Sequence, residues 1–319
     1  MQPRPHTLAA TLLCFGLAFG LAAQAQEAAT ETKPKAEYSD RGADRCIKCH
    51  DEFEYKKFRG LFRTKHAEVN DPRTPMAKLQ CETCHGPGAE HANMQLTEDD
   101  PRPPIRDFGH RGAETPVAEQ NAVCLSCHNN LHRMDWKGSP HDAGQVSCAS
   151  CHTIHASHDP AQEPAEQAQV CFECHTQQRA DSHRASAHPL RQGLVTCSSC
   201  HEPHGSLTPA LLRQPTLNQT CFQCHAEKRG PFLWEHAPAT EDCSTCHDAH
   251  GSNHPALLTQ RPPLLCQQCH SQAGHPSIAY TGAGLPGGTP SPFLLGRSCT
   301  NCHSQVHGSN HPSGANLKR

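Results

Sequence analysis

The chain has 319 residues, of which 21 are Cys and 27 are His, yet 35% are apolar and 5% aromatic. With 27 Pro and 22 Gly beside so little side-chain core, a Rossmann sheet, a TIM barrel or a bundle packed from its own side chains is excluded. Such a chain stays disordered unless something else fills its interior. A formal charge of −3 leaves no basic footprint for nucleic acid.

Residues 1–25 read as a cleavable export signal, with Arg4 as the basic start, an apolar run from Leu8 to Leu21 and Ala23-Gln24-Ala25 as the cleavage site. The run is short for a ~20-residue membrane anchor. Cys14 lacks a lipoprotein setting, because Leu13 precedes it. Residues 26–45 are polar and of mixed charge, a flexible N-terminal arm. Residues 46–123 carry a first pair of Cys-x-x-Cys-His motifs with a loop insertion; 124–170, 171–220, 221–265 and 266–319 each carry a further pair. Residues 51–65 are expected to be helical, with Phe58, Leu61 and Phe62 on one face and basic residues elsewhere, either a solvated face or a docking surface. The Pro-rich acidic stretch 92–123 and the Gly/Pro-rich stretch 281–296 read as loops. Short helical turns are expected at each motif, joined by irregular chain with almost no strand.

Apart from Cys14, every cysteine lies in such a motif. The pairs are Cys46 with Cys49, Cys81 with Cys84, Cys124 with Cys127, Cys148 with Cys151, Cys171 with Cys174, Cys197 with Cys200, Cys221 with Cys224, Cys243 with Cys246, Cys266 with Cys269 and Cys299 with Cys302. The next residues are His50, His85, His128, His152, His175, His201, His225, His247, His270 and His303. An exported, cysteine-dense chain is ordinarily a disulfide scaffold, and Cys-x-x-Cys is also zinc spacing, but neither requires the histidine. With 26 His among 294 residues after the signal, ten matches out of ten have a chance probability of roughly 10⁻¹¹, and Cys-x-x-Cys-His is the attachment motif of c-type haem. Two thiols three positions apart on a helical turn add to the two haem vinyl groups, and the adjacent imidazole reaches the iron. Ten motifs therefore predict ten covalently bound c-type haems, whose macrocycles supply the missing core. Each ferric haem adds roughly −1, so the oxidised holoprotein is expected near −14 rather than neutral.

Low-spin irons need a second ligand. Met76, Met94 and Met134 are too few, so histidine must serve. One His lies between the motifs of each pair (His66, His141, His188, His236, His275), and another closely follows each second motif (His91, His155, His204, His250, His307). Three followers read His-Gly-Ser, and Pro209-Ala210-Leu211-Leu212 recurs as Pro255-Ala256-Leu257-Leu258, the mark of a stacked repeat. Five and five match ten distal positions. A follower three residues past a motif His cannot easily reach the far face of its own porphyrin, so it is expected to serve a neighbouring haem; the pairing itself is not readable. His110, His132, His158, His183, His254 and His311 lack a repeated position and are expected to be ordinary polar residues. The fold class is thus a multihaem cytochrome c, mostly irregular with short helices, an elongated array of two-haem repeats.

With ten motifs, an export signal and this order of histidines, the chain resembles the decahaem c-type cytochromes of the MtrA/PioA/DmsE family over Arg45 to Arg319, most closely the metal-reducing MtrA type. The resemblance is carried by Cys84-His85-Gly86-Pro87, His225-Ala226-Glu227-Lys228-Arg229-Gly230-Pro231, Leu233-Trp234-Glu235-His236-Ala237-Pro238, Gly296-Arg297-Ser298-Cys299 and the tail Cys302 to Gly314. It implies a periplasmic cytochrome associated with the outer membrane through a β-barrel porin. Such a protein passes electrons between periplasmic donor cytochromes and a cell-surface multihaem cytochrome or terminal reductase, in metal-oxide or dimethyl sulfoxide respiration. A soluble periplasmic shuttle or store is the alternative. A multihaem reductase would need an iron with an open position, and no motif here replaces its His.

Overall fold

The computed structural model describes residues 36–50, 58–97, 99–109, 113–270 and 299–318. The export signal, the first part of the arm, residues 51–57, His110, His275 and the 281–296 stretch lie outside the described residues. By backbone contacts the chain divides at Lys35, and the unit described begins at Ala36.

Each motif is a single helical turn. The motif His N–H donates to the carbonyl of the first Cys at 2.9–3.2 Å in nine motifs, and His85 closes the helix Cys81–His85 itself. Residues i and i+3 share a face of such a turn, so both sulfurs face one way. The first motif of a pair ends a short helix, as in Val117–Leu125, Gln167–Phe172, Leu217–Cys221 and Leu264–Gln267. The second motif starts its own turn at the first Cys, as in Cys148–Ser150, Cys197–Cys200, Cys243–Thr245 and Cys299–Asn301. Among the described residues the only strands are Trp234–Glu235 and Gly308–Ser309, paired antiparallel.

A buried amide ties the two turns of a pair together. Asn121 Nδ2 donates to the Val146 carbonyl (3.0 Å), and its Oδ1 accepts from the Cys148 N–H (2.8 Å). Asn218 does the same to Thr240 (3.1 Å) and Cys243 (2.8 Å). Both stand three residues before the first cysteine of their pair.

Successive pairs are interlocked by backbone strips. The strip before His188 meets the strip after His250 through Ser186 and Ser252, whose N–H groups each donate to the other's carbonyl at 2.8 Å. Trp234–Glu235, before His236, pairs likewise with Gly308–Ser309, after His307. This close approach explains His-Gly-Ser. A Cβ on Gly205 would sit 2.1 Å from the Asp135 carbonyl oxygen, and one on Gly308 2.2 Å from the Phe232 ring. The second pair has Ala156 in place of that glycine, and the space is made on the facing strip instead: a Cβ on Gly60 would meet Ser157 N at 2.3 Å.

The apolar core is small. Five apolar residues are buried among those described (Ala43, Met76, Trp136, Ala168, Phe172), against eleven polar ones. Buried polar side chains thus outnumber apolar ones, in keeping with the composition.

Three expectations need correction in detail. Phe58 is helical, but the helix does not continue through 59–65; Leu61–Arg63 and Lys65–Ala67 form two single turns, parted by the extended Thr64. Gly60 must lie against residues 155–157, and Phe58 sets its ring edge-on to His155 at 4.6 Å, so tertiary contact overrides the helical pattern. Residues 36–45 are fastened rather than free: Ser39 N–H donates to the Glu82 carboxylate at 2.9 Å, and Ala89 N–H to the Glu37 carbonyl at 3.1 Å. The 92–123 stretch is irregular only as far as Pro116, after which Val117–Leu125 is helical.

Candidate functional site

None of the twenty motif cysteines is joined in a disulfide, unlike a disulfide scaffold. Among the described residues no three His, Cys, Asp or Glu side chains converge as a zinc site needs. The sulfurs form one continuous succession. The Cys81, Cys148 and Cys197 thiols raise Cys46, Cys124 and Cys171 respectively. Burial, then the Cys243 and Cys299 thiols, push Cys221 up to about 12 and Cys266 up to about 11. The gaps between pairs close through the second cysteines. Burial, then Cys124 and Cys127, raise Cys84, and Cys151 feels Cys174, Cys200 feels Cys224 and Cys246 feels Cys269 in the same way. Each motif thus neighbours the next from the first to the tenth. The first motif enters this succession through the half-buried Cys46, while Cys49 is exposed. The turn still holds Cys49 in place, its N–H donating to the Cys46 carbonyl at 3.2 Å.

The histidines meet in pairs. Five centroid distances lie at 5.9–6.2 Å for His66–His128, His85–His155, His141–His175, His152–His204 and His201–His250. His50–His91 and His188–His225 stand at 6.4 Å, His236–His270 and His247–His307 at 6.1 Å. Each pair joins a motif His to one of the repeated histidines. Two metal–imidazole bonds of about 2.0 Å, plus about 1.1 Å from each nitrogen to its ring centre, give about 6.2 Å, so each gap is the width of one bis-imidazole iron. None of the followers His155, His204, His250 and His307 faces its own motif histidine. Each faces the second motif of the preceding pair, while His66, His141, His188 and His236 face the first motif of the following pair. His303 is the motif histidine left, and His275 lies outside the described residues.

The chain also fixes which nitrogen is free. Nδ1–H of His141, His188 and His236 donates to the carbonyls of Pro203, Ala249 and Val306 at 2.8–3.0 Å. His91 donates to Pro103 (2.9 Å), and His85 to Arg106 (2.7 Å). The Pro-rich insertion therefore serves the first pair directly. The repeated Pro-Ala-Leu-Leu works in the same way. Ala210 and Ala256 take φ of 54° and 55°, which turns their carbonyls to His201 and His247 Nδ1 at 2.7 Å. Such bonds set the tautomer and leave the Nε2 lone pair for a metal. Burial lowers the pKa of His66, His85, His128, His155, His204, His250 and His307, so these rings stay neutral and able to ligate.

Two buried donors, Arg133 Nε and Trp136 Nε1, have no partner within the protein. Buried polar groups are normally satisfied. The Trp136 ring stands 6.4 Å from the His204 ring, so the propionate of a haem held by His204 would be an acceptor of the right charge for both donors. The residues fit haem.

The remaining described histidines stand apart from these pairs. His132 lies 3.2 Å from Glu202, His158 3.5 Å from Glu166, and His311 Nδ1 accepts from the Ser313 N–H. His183 and His254 flank short helices. Sequence reasoning missed Asn121, Asn218 and the carbonyl clasps; the fixed offset of the two asparagines before their cysteines was the available signal.

Along nearly its whole length the chain is similar to "Multiheme cytochrome MtrA" of Shewanella baltica, with 49% identity over 299 residues, 92% of this chain and 87% of that one. The chain belongs to the MtrA family of multihaem c-type cytochromes. As an MtrA-family protein it binds haem c and transfers electrons. The doubled CXXCH motif family matches residues 188–230 and 236–275, the NrfB-like cytochrome c-type family matches 81–166, and the cytochrome c554 and c-prime family matches 19–86. Cytochrome c-type protein NrfB of Escherichia coli is 31% identical over 43% of the chain and 66% of its own length. NrfB of Haemophilus influenzae is 32% identical over 38% and 54%.

Proposed function

We propose that this MtrA-family cytochrome carries ten haem c groups in single file and conducts electrons between periplasmic donor cytochromes and the cell surface, through an outer-membrane β-barrel porin. The observation that carries the reading is the row of nine histidine pairs at 5.9–6.4 Å, eight of which join one motif pair to the next. Haem iron, when bound, supplies a one-electron Fe(III)/Fe(II) couple. The twenty cysteines, from Cys46 and Cys49 to Cys299 and Cys302, attach the macrocycles, and His50, His85, His128, His152, His175, His201, His225, His247, His270 and His303 are the proximal ligands. In that order, the distal ligands are His91, His155, His66, His204, His141, His250, His188, His307, His236 and, by elimination, His275. Histidines from one pair thereby clamp irons of the next, and only the two ends are self-supplied. Double ligation leaves no position for a substrate, which favours electron transfer over a reductase.

Solvation favours a porin as the sheath. No helix among the described residues is long and apolar enough to cross a membrane, and mean hydropathy is −0.68. Irregular backbone cannot face hydrocarbon, whereas a closed barrel can sheathe it. Ten macrocycles at about 10 Å each reach about 100 Å, beyond the ~40–45 Å of a bilayer with headgroups.

The test is reconstitution into liposomes enclosing a redox dye. External reductant is expected to bleach the dye only with cytochrome and porin together. Bleaching by the cytochrome alone, or none with the pair despite intact haems, would leave the soluble shuttle.

A further inference from the structure

The second motif of each pair ends in a histidine whose Nδ1–H needs an acceptor. His85, His201, His247 and His303 each use a backbone carbonyl, of Arg106, Ala210, Ala256 and Asn316, at 2.7 Å. His152 departs from the rule, its Nδ1 lying 2.5 Å from Asp159 Oδ2. The ring facing it, His204, also has a carboxylate at hand, with Glu202 Oε1 3.3 Å from Nδ1. His91, His141, His188 and His236 use carbonyls instead. By distance Glu227 comes next among the described residues, 3.9 Å from His225 Nδ1 and 61% exposed, beyond hydrogen-bond reach and screened by water. Asp181 and Asp248 also act on His250, and Asp107 on His85, but none of them bonds the ring, and Arg184 pairs with both Asp181 and Asp248.

We infer that Asp159 and Glu202 make the iron held between His152 and His204 the hardest in the chain to reduce, so that the fourth place in the row is an energetic crest. The inference rests on the ligand pairing proposed above. Reduction adds one electron to Fe(III) to give Fe(II), with no bond made or broken. A backbone carbonyl offers a dipole, whereas a carboxylate offers a full negative charge. Accepting the Nδ1 proton, it draws positive charge off the ring and makes Nε2 a stronger donor, which favours Fe(III) over Fe(II). The Asp159 and Glu202 side chains are 15% and 16% exposed, so water screens them poorly. Asp159 is also held in place, accepting from Ala161 N–H at 3.2 Å and Gln162 Nε2 at 2.9 Å. The Arg133 cation acts on both His204 and His128, so it does not single out the fourth site. An electron crossing in either direction meets this crest, and Asp159 is the positioning residue that sets its height.

The test is a potentiometric titration of the holoprotein followed by electron paramagnetic resonance, with haem content checked by intact mass. Asp159→Asn keeps an acceptor oxygen and removes the charge. Its most negative component is expected to rise by at least a tenfold change in the reduction equilibrium, which is 59 mV for one electron. Asp159→Glu should hold the wild-type value, and Glu202→Gln should shift the same component by less. An unmoved component in Asp159→Asn, with every haem attached and low-spin, overturns the tuning alone. If that variant loses a haem, an unmoved component in Glu202→Gln overturns it instead. His204→Ala tests the ligation separately, since it should turn that most negative component high-spin. All irons remaining low-spin would sink the pairing and the inference with it.

Discussion

Gly251 and Asp181 lie backbone to backbone across two haem pairs: a Cβ on Gly251 would stand 2.0 Å from the Asp181 carbonyl oxygen, at a φ of 145°. The contact brings the strip after His250 against the strip before His188, and so places both rings. Gly251→Ala is expected to cost about 1–3 kcal/mol, as strain at a conformation that L-residues avoid, plus loss of the interlock. Gly138 has φ of 81° with nothing within 4 Å of a Cβ, so Gly138→Ala isolates the backbone contribution. Denaturant midpoints of the two holoproteins check this; equal losses would show that the close approach does not matter.

The Asn121 amide should behave as a clasp within a pair. Asn121→Ala leaves the Cys148 N–H and the Val146 carbonyl without their partner, and two half-buried unpaired groups cost about 2–4 kcal/mol. Asn121→Asp keeps the acceptor for Cys148 and should recover part of that loss. Guanidinium unfolding followed at the haem band measures both, and a wild-type midpoint in Asn121→Ala would refute the clasp.

What the sequence made legible is the chemistry fixed by local spacing. Cys-x-x-Cys-His is one helical turn, so Cys221, Cys224 and His225 fall into place without tertiary information. The scarcity of apolar residues likewise announced an interior built from something else. Pairing was hidden because His155 and His85 are seventy residues apart in sequence, and no periodicity states which iron a repeated histidine approaches. The clasps were hidden for a different reason. Ala210 and Ala256 act through carbonyl oxygens, and every residue has one, so only the left-handed turn of Pro-Ala-Leu reveals their role. Asp159 falls between these cases, because its carboxylate is visible but its partner is not.

Ten haem masses above the apo mass of the exported chain are expected in a host competent for haem attachment, because all ten motifs keep both thiols. A reproducible maximum of eight or fewer would break the single file.

His188→Ala should open one iron and no more. Its ring stands 6.4 Å from His225, and losing it leaves His225 as the sole axial ligand, which gives a high-spin signal for one haem. His132→Ala and His183→Ala remove exposed rings outside the nine pairs, and both should keep the wild-type spectrum. A high-spin signal from either would mean that the wrong histidines have been assigned.

The ring planes make a last prediction. His50–His91, His152–His204, His201–His250 and His247–His307 are nearly parallel, at 5–14°, whereas His66–His128 and His141–His175 cross at 84° and 74°. Parallel imidazoles donate π density into the same iron d orbital and split it from its neighbour, which gives a rhombic low-spin signal. Crossed imidazoles donate equally to two orbitals and leave them nearly degenerate, which gives a highly anisotropic signal with one very large g value. The oxidised holoprotein should therefore show both types, the rhombic one in the majority. His66→Ala should diminish the anisotropic signal, since it removes one crossed pair, and His250→Ala should diminish the rhombic one. A purely rhombic spectrum from the untouched protein would contradict the crossed geometry at His128 and His175.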